Sequence, residues 1–187
     1  MLSAARDLKK RGGLLIVDEA FADVTPEISV LPHIGDEPIA VLRSFGKFFG
    51  LAGLRLGFIA AQPPLAKALE ACFGSWAISG PALSIGRAAI TDIDWQINMR
   101  ARLQREAAVL DDVLRNDGLK IIGGTSLFRL TGHRDAFALH YALAQRRIWT
   151  RQFDDHSTWL RIGLPGSRDA CVRLADALAA AQRNLAG

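Results

Sequence analysis

The segment that decides the fold reads Ser44-Phe45-Gly46-Lys47-Phe48-Phe49-Gly50-Leu51-Ala52-Gly53-Leu54-Arg55-Leu56-Gly57. It places Lys47 in an almost wholly apolar stretch. Removing an ammonium group from water favours its neutral, nucleophilic form. Lys47 is therefore a candidate for an amine that attacks a carbonyl group. The alternative is a lysine whose stem lies on apolar surface while its ammonium group reaches water.

The other polar groups of this segment favour a phosphate ligand. Arg55 carries a permanent cation whose fork matches a phosphate, and Ser44 adds a hydroxyl donor. Gly46, Gly50 and Gly53 allow a ligand to approach the backbone closely, but their spacing matches neither GxGxxG nor GxxxxGK[ST]. The segment therefore indicates an anion site that is not one of the common nucleotide loops.

A short apolar run that precedes the segment ends in an acid. Residues 14–17 follow a pair of glycines, and Asp18 comes directly after them, 29 residues before Lys47. Such a run predicts a buried parallel strand with Asp18 at its carboxyl end, where open α/β sheets bind ligands. A carboxylate at that place can hold a ring nitrogen protonated. Its alternative role is to cap a helix.

The rest of the chain predicts an α/β fold with two parts. Apolar runs at 39–42 and 56–61 predict two more buried strands, which makes residues 1–93 part of a layered domain. A small α+β domain, which includes a long connecting helix, is predicted over residues 94–187. Its predicted strands are residues 119–122, 126–130, 148–151 and 159–162, and its predicted helices are 95–116, 136–146 and 168–185, after a first helix at 81–91. Gly118 is predicted to end the long helix.

Composition narrows the class of protein. Half of the residues are apolar, and no apolar run approaches the roughly 20 residues that span a bilayer. The net charge of +4 comes from scattered lysines and arginines without a nucleic-acid motif, so a solvated basic surface is expected and no nucleic-acid partner. Cys72 and Cys171 lack CxxC spacing, which favours a reducing cytoplasm over a disulfide framework.

The histidines and two of the tryptophans do not indicate a functional site. His33, His133, His140 and His156 stand apart from one another and form no metal motif, so no metal site is expected. The sequence also predicts that Trp76 and Trp95 belong to the core rather than to a ligand platform.

Taken together, these motifs resemble the fold-type-I pyridoxal-phosphate (PLP) family of aminotransferases and decarboxylases. Within it, the chain is most similar to the threonine-phosphate decarboxylases of the cobalamin pathway, relatives of histidinol-phosphate aminotransferase. The resemblance implies a partial three-layer PLP-transferase large domain followed by the small α+β domain. The stretches that carry it are Asp18-Glu19-Ala20-Phe21, Leu42-Arg43-Ser44-Phe45-Gly46-Lys47, Trp76-Ala77-Ile78-Ser79-Gly80-Pro81 and Gly123-Gly124-Thr125-Ser126-Leu127-Phe128.

The resemblance implies a role for each polar candidate. Lys47 would form the Schiff base with the cofactor, which makes it a catalytic residue. Asp18 would bind the pyridine nitrogen and is also expected to be catalytic. Ser44 and Arg55 would bind the cofactor phosphate.

Three further residues receive roles by the same resemblance. Ala20 is the small residue beneath the cofactor ring, and Phe21 stands where a tyrosine usually donates to the ring hydroxyl. Arg161, in Leu160-Arg161-Ile162-Gly163, would grip the carboxylate of the substrate. A second departure from the aminotransferase pattern is Gly46, which stands where a serine often helps to bind phosphate.

The activity that the resemblance implies is decarboxylation of L-threonine O-3-phosphate to aminopropanol phosphate, by a cytoplasmic homodimer that binds neither nucleic acid nor membrane. One alternative is an aminotransferase acting on a substrate such as histidinol phosphate. Another is an inactive folded remnant or interaction module. The chain resembles the carboxyl-terminal half of the family, so part of the cofactor pocket is expected to come from outside these 187 residues.

Overall fold

A computed structural model describes residues 1–186, and the side chains of residues 1–185. The chain divides into two compact units, Met1–Ile93 and a second that starts at Asp94. The α-helices are α1 (Leu2–Lys9), α2 (Pro63–Phe73), α3 (Gly80–Thr91), α4 (Ile93–Asn116), α5 (Ala136–Gln145) and α6 (Arg168–Ala186). The strands are β1 (Leu15–Asp18), β2 (Ile39–Ser44), β3 (Gly57–Ala60), β4 (Lys120–Thr125), β5 (Phe128–Gly132), β6 (Arg151–Gln152) and β7 (Trp159–Gly163).

The first unit is built on a three-stranded sheet in the order β1-β2-β3. As predicted, β1 runs parallel to β2, with Asp18 opposite Leu42, whereas β3 is antiparallel to β2 and begins with Gly57 opposite Ser44. The apolar side chains of α1 and of the segment between β1 and β2 cover one face of this sheet. The resulting core contains Ala5, Val30, Ile39 and Val41, with Leu2, Leu15, Val17, Leu31 and Ile34 packed against it.

Burial of the strands is less complete than the sequence predicted. Ile16 lies between Leu15 and Val17 in β1, yet it is 61% exposed. Successive side chains of a strand point to opposite faces. The described residues of this unit cover one face of β1 and leave the Ile16 side open. The prediction that β1 is buried on both faces was therefore wrong.

Two features between β3 and α4 also differ from the predictions. The helix α2 was not predicted, because the Pro63-Pro64 pair was interpreted as the end of a strand. Proline fits the first turn of a helix, where its missing N–H has no partner to bind, and α2 begins at this pair. Trp76 was predicted to be in the core, but it is 97% exposed and its φ of 60° places it in a left-handed turn.

The second unit has a four-stranded antiparallel sheet in the order β4-β5-β7-β6. Its elements lie within a few residues of their predicted places. The helix α4 ends as predicted, with Gly118 at a φ of 73° and the N–H of Leu119 bonded to the carbonyl of Leu114. Helices α4, α5 and α6 bury one face of the sheet in a core of Leu110, Leu114, Leu119, Ala136, Leu139, Leu143, Leu160, Ile162, Leu174, Ala177, Leu178 and Ala181.

No helix among residues 1–186 combines the length and the apolar character that a membrane crossing requires.

Candidate functional site

The polar candidates of the first unit come together at one edge of its sheet. Asp18 is the last residue of β1 and Ser44 the last of β2. Asp18 lies opposite Leu42 in the parallel register, and the side chains of Leu42 and Ser44 point to the same face because they are two residues apart. Arg55 lies just before β3, whose first residue pairs with Ser44. Asp18 and Ser44 therefore lie at the carboxyl ends of neighbouring strands with their side chains on the same face, and Arg55 lies two residues before the strand that pairs with Ser44.

Lys47 lies in the turn that follows β2. The N–H of Gly50 bonds to the carbonyl of Lys47 at 3.1 Å, and the N–H of Leu51 bonds to that of Phe45 at 2.9 Å. The ammonium group lies 5.4 Å from the centre of the Phe21 ring, a cation–π contact. Lys47 is exposed, although its neighbours in the sequence are mostly apolar. Phe45 and Phe48 are buried instead and hold the turn in place.

Ser44 and Gly46 form the floor of this turn. The hydroxyl of Ser44 accepts a bond from the N–H of Gly46 at 3.1 Å, which leaves its proton available for an anion. A Cβ atom on residue 46 would lie 3.3 Å from the Cα of Ala52 and 3.4 Å from the Ser44 hydroxyl oxygen. A side chain at position 46 would therefore fit only closely against Ala52 and Ser44.

Arg55 has an unusual backbone. Its φ of 52° lies in the left-handed region, which a residue other than glycine adopts only when its surroundings favour it. One guanidinium nitrogen donates to the carbonyl of Ala52 at 3.1 Å, and the side chain is otherwise exposed. The bond directs the guanidinium group back over the preceding turn while its other donors still face solvent. That orientation suits an anion bound beside the turn.

The carboxylate of Asp18 is ordered by the chain that follows it. One oxygen accepts the N–H of Ala20 at 2.9 Å, and the side chain is exposed at the end of β1. This bond holds the backbone of the half-buried Ala20 next to the carboxylate, and the half-buried Phe21 follows in the chain. The oxygen atoms of Asp18 retain lone pairs for a cationic N–H donor.

Arg161 occupies β7 of the second unit, on the sheet face opposite the core residues Leu160 and Ile162. Its guanidinium carbon lies 4.9 Å from the centre of the Phe128 ring. Arg151 lies directly opposite it in the register of β6 and β7. Burial lowers the pKa of Arg161 from its ordinary value, and the neighbouring charge of Arg151 lowers it further. Two adjacent cations of this kind favour an anionic ligand.

Sequence reasoning did not select Arg151. Its place at the end of a predicted strand could have marked it as a candidate, since Arg43 also follows a predicted strand. The pairing with Arg161 was not visible, since it depends on the register of two strands.

The histidines form no metal cluster in the described part of the chain. His140 bonds to the hydroxyl of the buried Thr150 at 2.7 Å, and His156 stacks on Trp159 with the ring centres 3.8 Å apart. Both contacts are structural.

Comparison with known proteins gives a family match over most of the chain. The model of the family "Aminotransferase class I and II" matches residues 2–178. A threonine-phosphate decarboxylase from Sinorhizobium sp is 47% identical over 180 residues, which cover 96% of this chain and 54% of the relative. The threonine-phosphate decarboxylase of Pseudomonas aeruginosa is 45% identical, with 91% of this chain and 51% of the relative covered.

Histidinol-phosphate aminotransferases are more distant in sequence. Histidinol-phosphate aminotransferase 2 from Gluconobacter oxydans is 34% identical, with 88% of this chain and 48% of the relative covered. The chain thus spans about half the length of the known relatives that it matches.

Solved structures show the same fold. The L-threonine-O-3-phosphate decarboxylase of Porphyromonas gingivalis has a TM-score of 0.77 at 20% identity, over 100% of this chain and 58% of its own. The histidinol-phosphate aminotransferase of Sinorhizobium meliloti, in complex with pyridoxal-5′-phosphate, has a TM-score of 0.80 at 21% identity, over 92% and 50% of the two chains. The fold class predicted from the sequence is confirmed.

Proposed function

This chain belongs to the aminotransferase class I and II family, and on that premise we propose that the whole protein decarboxylates L-threonine O-3-phosphate. The products would be carbon dioxide and aminopropanol phosphate, a precursor in cobalamin biosynthesis. The observation that carries the proposal is the identity of 47% and 45% to two threonine-phosphate decarboxylases, against 34% to a histidinol-phosphate aminotransferase, over similar parts of the chain.

The cofactor is pyridoxal 5′-phosphate, and the exposed groups of the first unit fit it. An amine (Lys47), a carboxylate (Asp18), a hydroxyl (Ser44) and a guanidinium group (Arg55) lie in or beside the ends of β1 and β2 and the start of β3, and each has donors or lone pairs that internal bonds do not use. When bound, this cofactor supplies an electron sink for the bond that breaks at the substrate Cα. The protein contributes orientation and charge.

Each residue of this corner then has a proposed task. Lys47 holds the cofactor covalently and afterwards moves a proton at the substrate Cα. The carboxylate of Asp18 accepts the N–H of the pyridine ring and keeps it protonated. Ser44 and Arg55 donate to the cofactor phosphate. Because β1 and β2 are paired in parallel, the side chains of Asp18 and Ser44 lie on the same face of the sheet.

Ala20 and Phe21 are proposed to contact the cofactor ring. The small side chain of Ala20 leaves room beneath a flat ligand. Phe21 cannot donate a hydrogen bond to the ring hydroxyl, because it lacks the phenolic oxygen of the tyrosine usual in aminotransferases. Its ring face instead attracts the ammonium group of Lys47 before the cofactor is bound.

Two arginines of the second unit are proposed to bind the anionic groups of the substrate. Threonine phosphate carries a carboxylate and a phosphate, and Arg161 and Arg151 offer two adjacent forks on one face of the sheet. A bond breaks readily when it stands perpendicular to the plane of the cofactor ring, so the groups that hold these anions select which bond is lost. In a decarboxylase, that bond joins Cα to the carboxylate.

The remaining assignments concern the whole protein. We assign residues 1–93 to the cofactor-binding large domain and residues 94–187 to the small domain. The scattered positive charge favours small anionic metabolites over nucleic acid as partners. A homodimer located in the cytoplasm, without a membrane or nucleic-acid partner, completes the proposal.

Product analysis tests the proposed reaction. The protein is incubated with pyridoxal phosphate and L-threonine O-3-phosphate, with and without 2-oxoglutarate. A decarboxylase releases carbon dioxide in both cases, whereas an aminotransferase forms glutamate and a 2-oxo acid only when the acceptor is present. Release of carbon dioxide that does not depend on 2-oxoglutarate is the expected result, and glutamate formation alone would contradict it.

Histidinol-phosphate transamination is the second candidate, favoured by the 34% identity to the Gluconobacter oxydans enzyme. Histidinol phosphate has no carboxylate, so it cannot release carbon dioxide and can react only by transamination. The same assay with histidinol phosphate and 2-oxoglutarate tests this candidate directly. A folded protein that binds no cofactor in either assay would instead fit an inactive remnant or interaction module.

A further inference from the structure

A largely shielded network of three charged side chains and one serine lies next to the proposed cofactor corner and has no role in the function described so far. It consists of Glu19, Asp23, Ser29 and Arg43, called here the anchor network. The Nη2 atom of Arg43 forms an ion pair with Glu19 at 3.1 Å and donates to the hydroxyl oxygen of Ser29 at 3.1 Å, and its Nη1 atom donates to Asp23. The side chains of Arg43 and Glu19 are only 8% and 5% exposed.

Glu19 is the most heavily bonded member of the network. Its Oε2 atom also accepts the hydroxyl of Ser29 at 2.7 Å, and its Oε1 atom accepts the N–H of Val30 at 2.6 Å. The N–H of Glu19 bonds to the carbonyl of Leu42 at 2.9 Å, which extends the pairing of β1 and β2 by one residue. Glu19 therefore ties the end of β1 both to β2 and to the segment that follows.

Two members of the network are adjacent in sequence to the proposed cofactor ligands. Glu19 follows Asp18, and Arg43 precedes Ser44. Successive side chains of a strand point to opposite faces, so Glu19 and Arg43 share one face while Asp18 and Ser44 share the other. A single backbone unit therefore separates each member of the shielded pair from the carboxylate of Asp18 or the hydroxyl of Ser44.

Stability alone is a poor reason for such a pair. Burying two charges carries a desolvation penalty that often cancels their attraction, and apolar side chains of similar volume often do as well. The penalty is increased here because the Nε atom of Arg43 is buried without an acceptor among the described residues. The pair does have a directional property that apolar packing lacks, because a two-pronged guanidinium group fixes the distance between two carboxylates.

We propose that Glu19 and Arg43 are positioning residues, which hold Asp18 and Ser44 at the separation that the cofactor requires. They do not touch the cofactor themselves. The inference rests on the proposed function, since it takes Asp18 and Ser44 as ligands of pyridoxal phosphate.

The test, made in the whole protein for which the function is proposed, compares Glu19→Gln with the matched control Glu37→Gln. Glu37 is also a shielded glutamate of the first unit, bonded to Arg6 at 2.9 Å with a side chain 12% exposed, but it lies two residues before the amino end of β2. In the Glu19 variant, the new amide presents an N–H group or a neutral oxygen to Arg43 in place of a charge. Affinity for pyridoxal phosphate is measured by titration of cofactor absorbance, and the melting temperature of the cofactor-free protein is measured separately.

Both variants are expected to lower the melting temperature. Only Glu19→Gln is expected to weaken cofactor binding, by about tenfold or more, as small displacements of positioned groups do. Arg43→Lys provides a second measurement if the first variant does not fold, because a lysine keeps the charge but cannot hold Glu19 and Asp23 at a fixed separation. It should also weaken cofactor binding by about tenfold.

Equal cofactor affinity in the wild type, the two glutamate variants and Arg43→Lys would overturn the inference and leave the proposed function intact. Equal weakening in Glu19→Gln and Glu37→Gln would also overturn it, because the effect would then follow from stability alone. A wild-type protein that binds no pyridoxal phosphate would overturn the proposed function and the inference with it.

Discussion

The two units of this chain differ in how much of their apolar surface they bury. Among the described residues, fourteen apolar residues of the second unit are buried, twelve of them in one cluster, whereas ten of the first unit are buried, four of them in one cluster. The first unit also exposes Ile16 and Trp76, which are 61% and 97% accessible. It is nevertheless the first unit, which buries fewer apolar residues, that presents Lys47, Asp18, Ser44 and Arg55. The residues proposed to bind the cofactor and the residues that form the largest apolar cluster therefore belong to different units.

The largest expected effect is a loss of cofactor attachment without a loss of stability. Lys47→Ala should abolish covalent attachment of pyridoxal phosphate, because the amine that forms the bond is removed. Since Lys47 is exposed, the free energy of unfolding should change by less than about 0.5 kcal/mol. Borohydride reduction followed by mass spectrometry of the peptide that contains residue 47 measures the attachment.

Lys67→Ala is the control for this variant, since Lys67 is an exposed lysine on α2 of the same unit. It should leave the attachment unchanged. Wild-type levels of reducible cofactor in Lys47→Ala would remove Lys47 from the proposed site.

The next prediction concerns the loss of stability when a buried apolar side chain of the second unit is truncated. Leu178 is fully buried in α6, so Leu178→Ala should lower the free energy of unfolding by about 2–5 kcal/mol, through lost transfer energy and the cavity that remains. Ile16→Ala, in the first unit, should lower it by no more than about 0.5 kcal/mol because the side chain is mostly exposed. Urea denaturation measures both. Similar losses in the two variants would show that the first unit is as dependent on its apolar side chains as the second.

The smallest effect concerns an ion pair of the second unit. Asp111 accepts both prongs of Arg129, and this bonding lowers the pKa of the carboxyl group against the opposing influence of burial. A lowered carboxyl pKa adds stability that is fully present above the unfolded value, near 3.8, and is lost as the pH falls through the folded value. Asp111→Asn should therefore reduce the free energy of unfolding by about 1 kcal/mol at pH 7, and the difference should shrink below the unfolded pKa.

Asp112→Asn provides the control for that measurement. Asp112 is 78% exposed and meets Arg115 only at 4.0 Å, so its replacement should be nearly neutral at both pH values. A deficit in Asp111→Asn that persists unchanged at pH 3 would mean that shape rather than charge explains it.

Much of the second unit could be predicted from the sequence. The apolar spacing of α4, the glycine at its end and the short strands that follow are local signals, and the structure places these elements within a few residues of the prediction. The first unit was harder to predict from the sequence. The helix α2 begins at a proline pair that also suits a strand end, and Trp76 was assigned to the core although the described neighbours do not cover it.

The candidate site shows the same division. The motif around Lys47, its distance from Asp18 and the likeness to pyridoxal-phosphate enzymes are properties of residue order, so the sequence by itself determined the family and the fold class. The exposure of Lys47 was not visible, because apolar neighbours in sequence need not be neighbours in space. Here Phe45 and Phe48 turn inward and leave the lysine outside.

Tertiary structure alone decided which distant residues meet. The register of β1 and β2 places Asp18 and Ser44 on one face and the Glu19–Arg43 pair on the other, and the register of β6 and β7 places Arg151 beside Arg161. The sequence determines which side chains of one strand share a face. The partner of each side chain depends on how two strands align, and a shift of one residue would exchange every face.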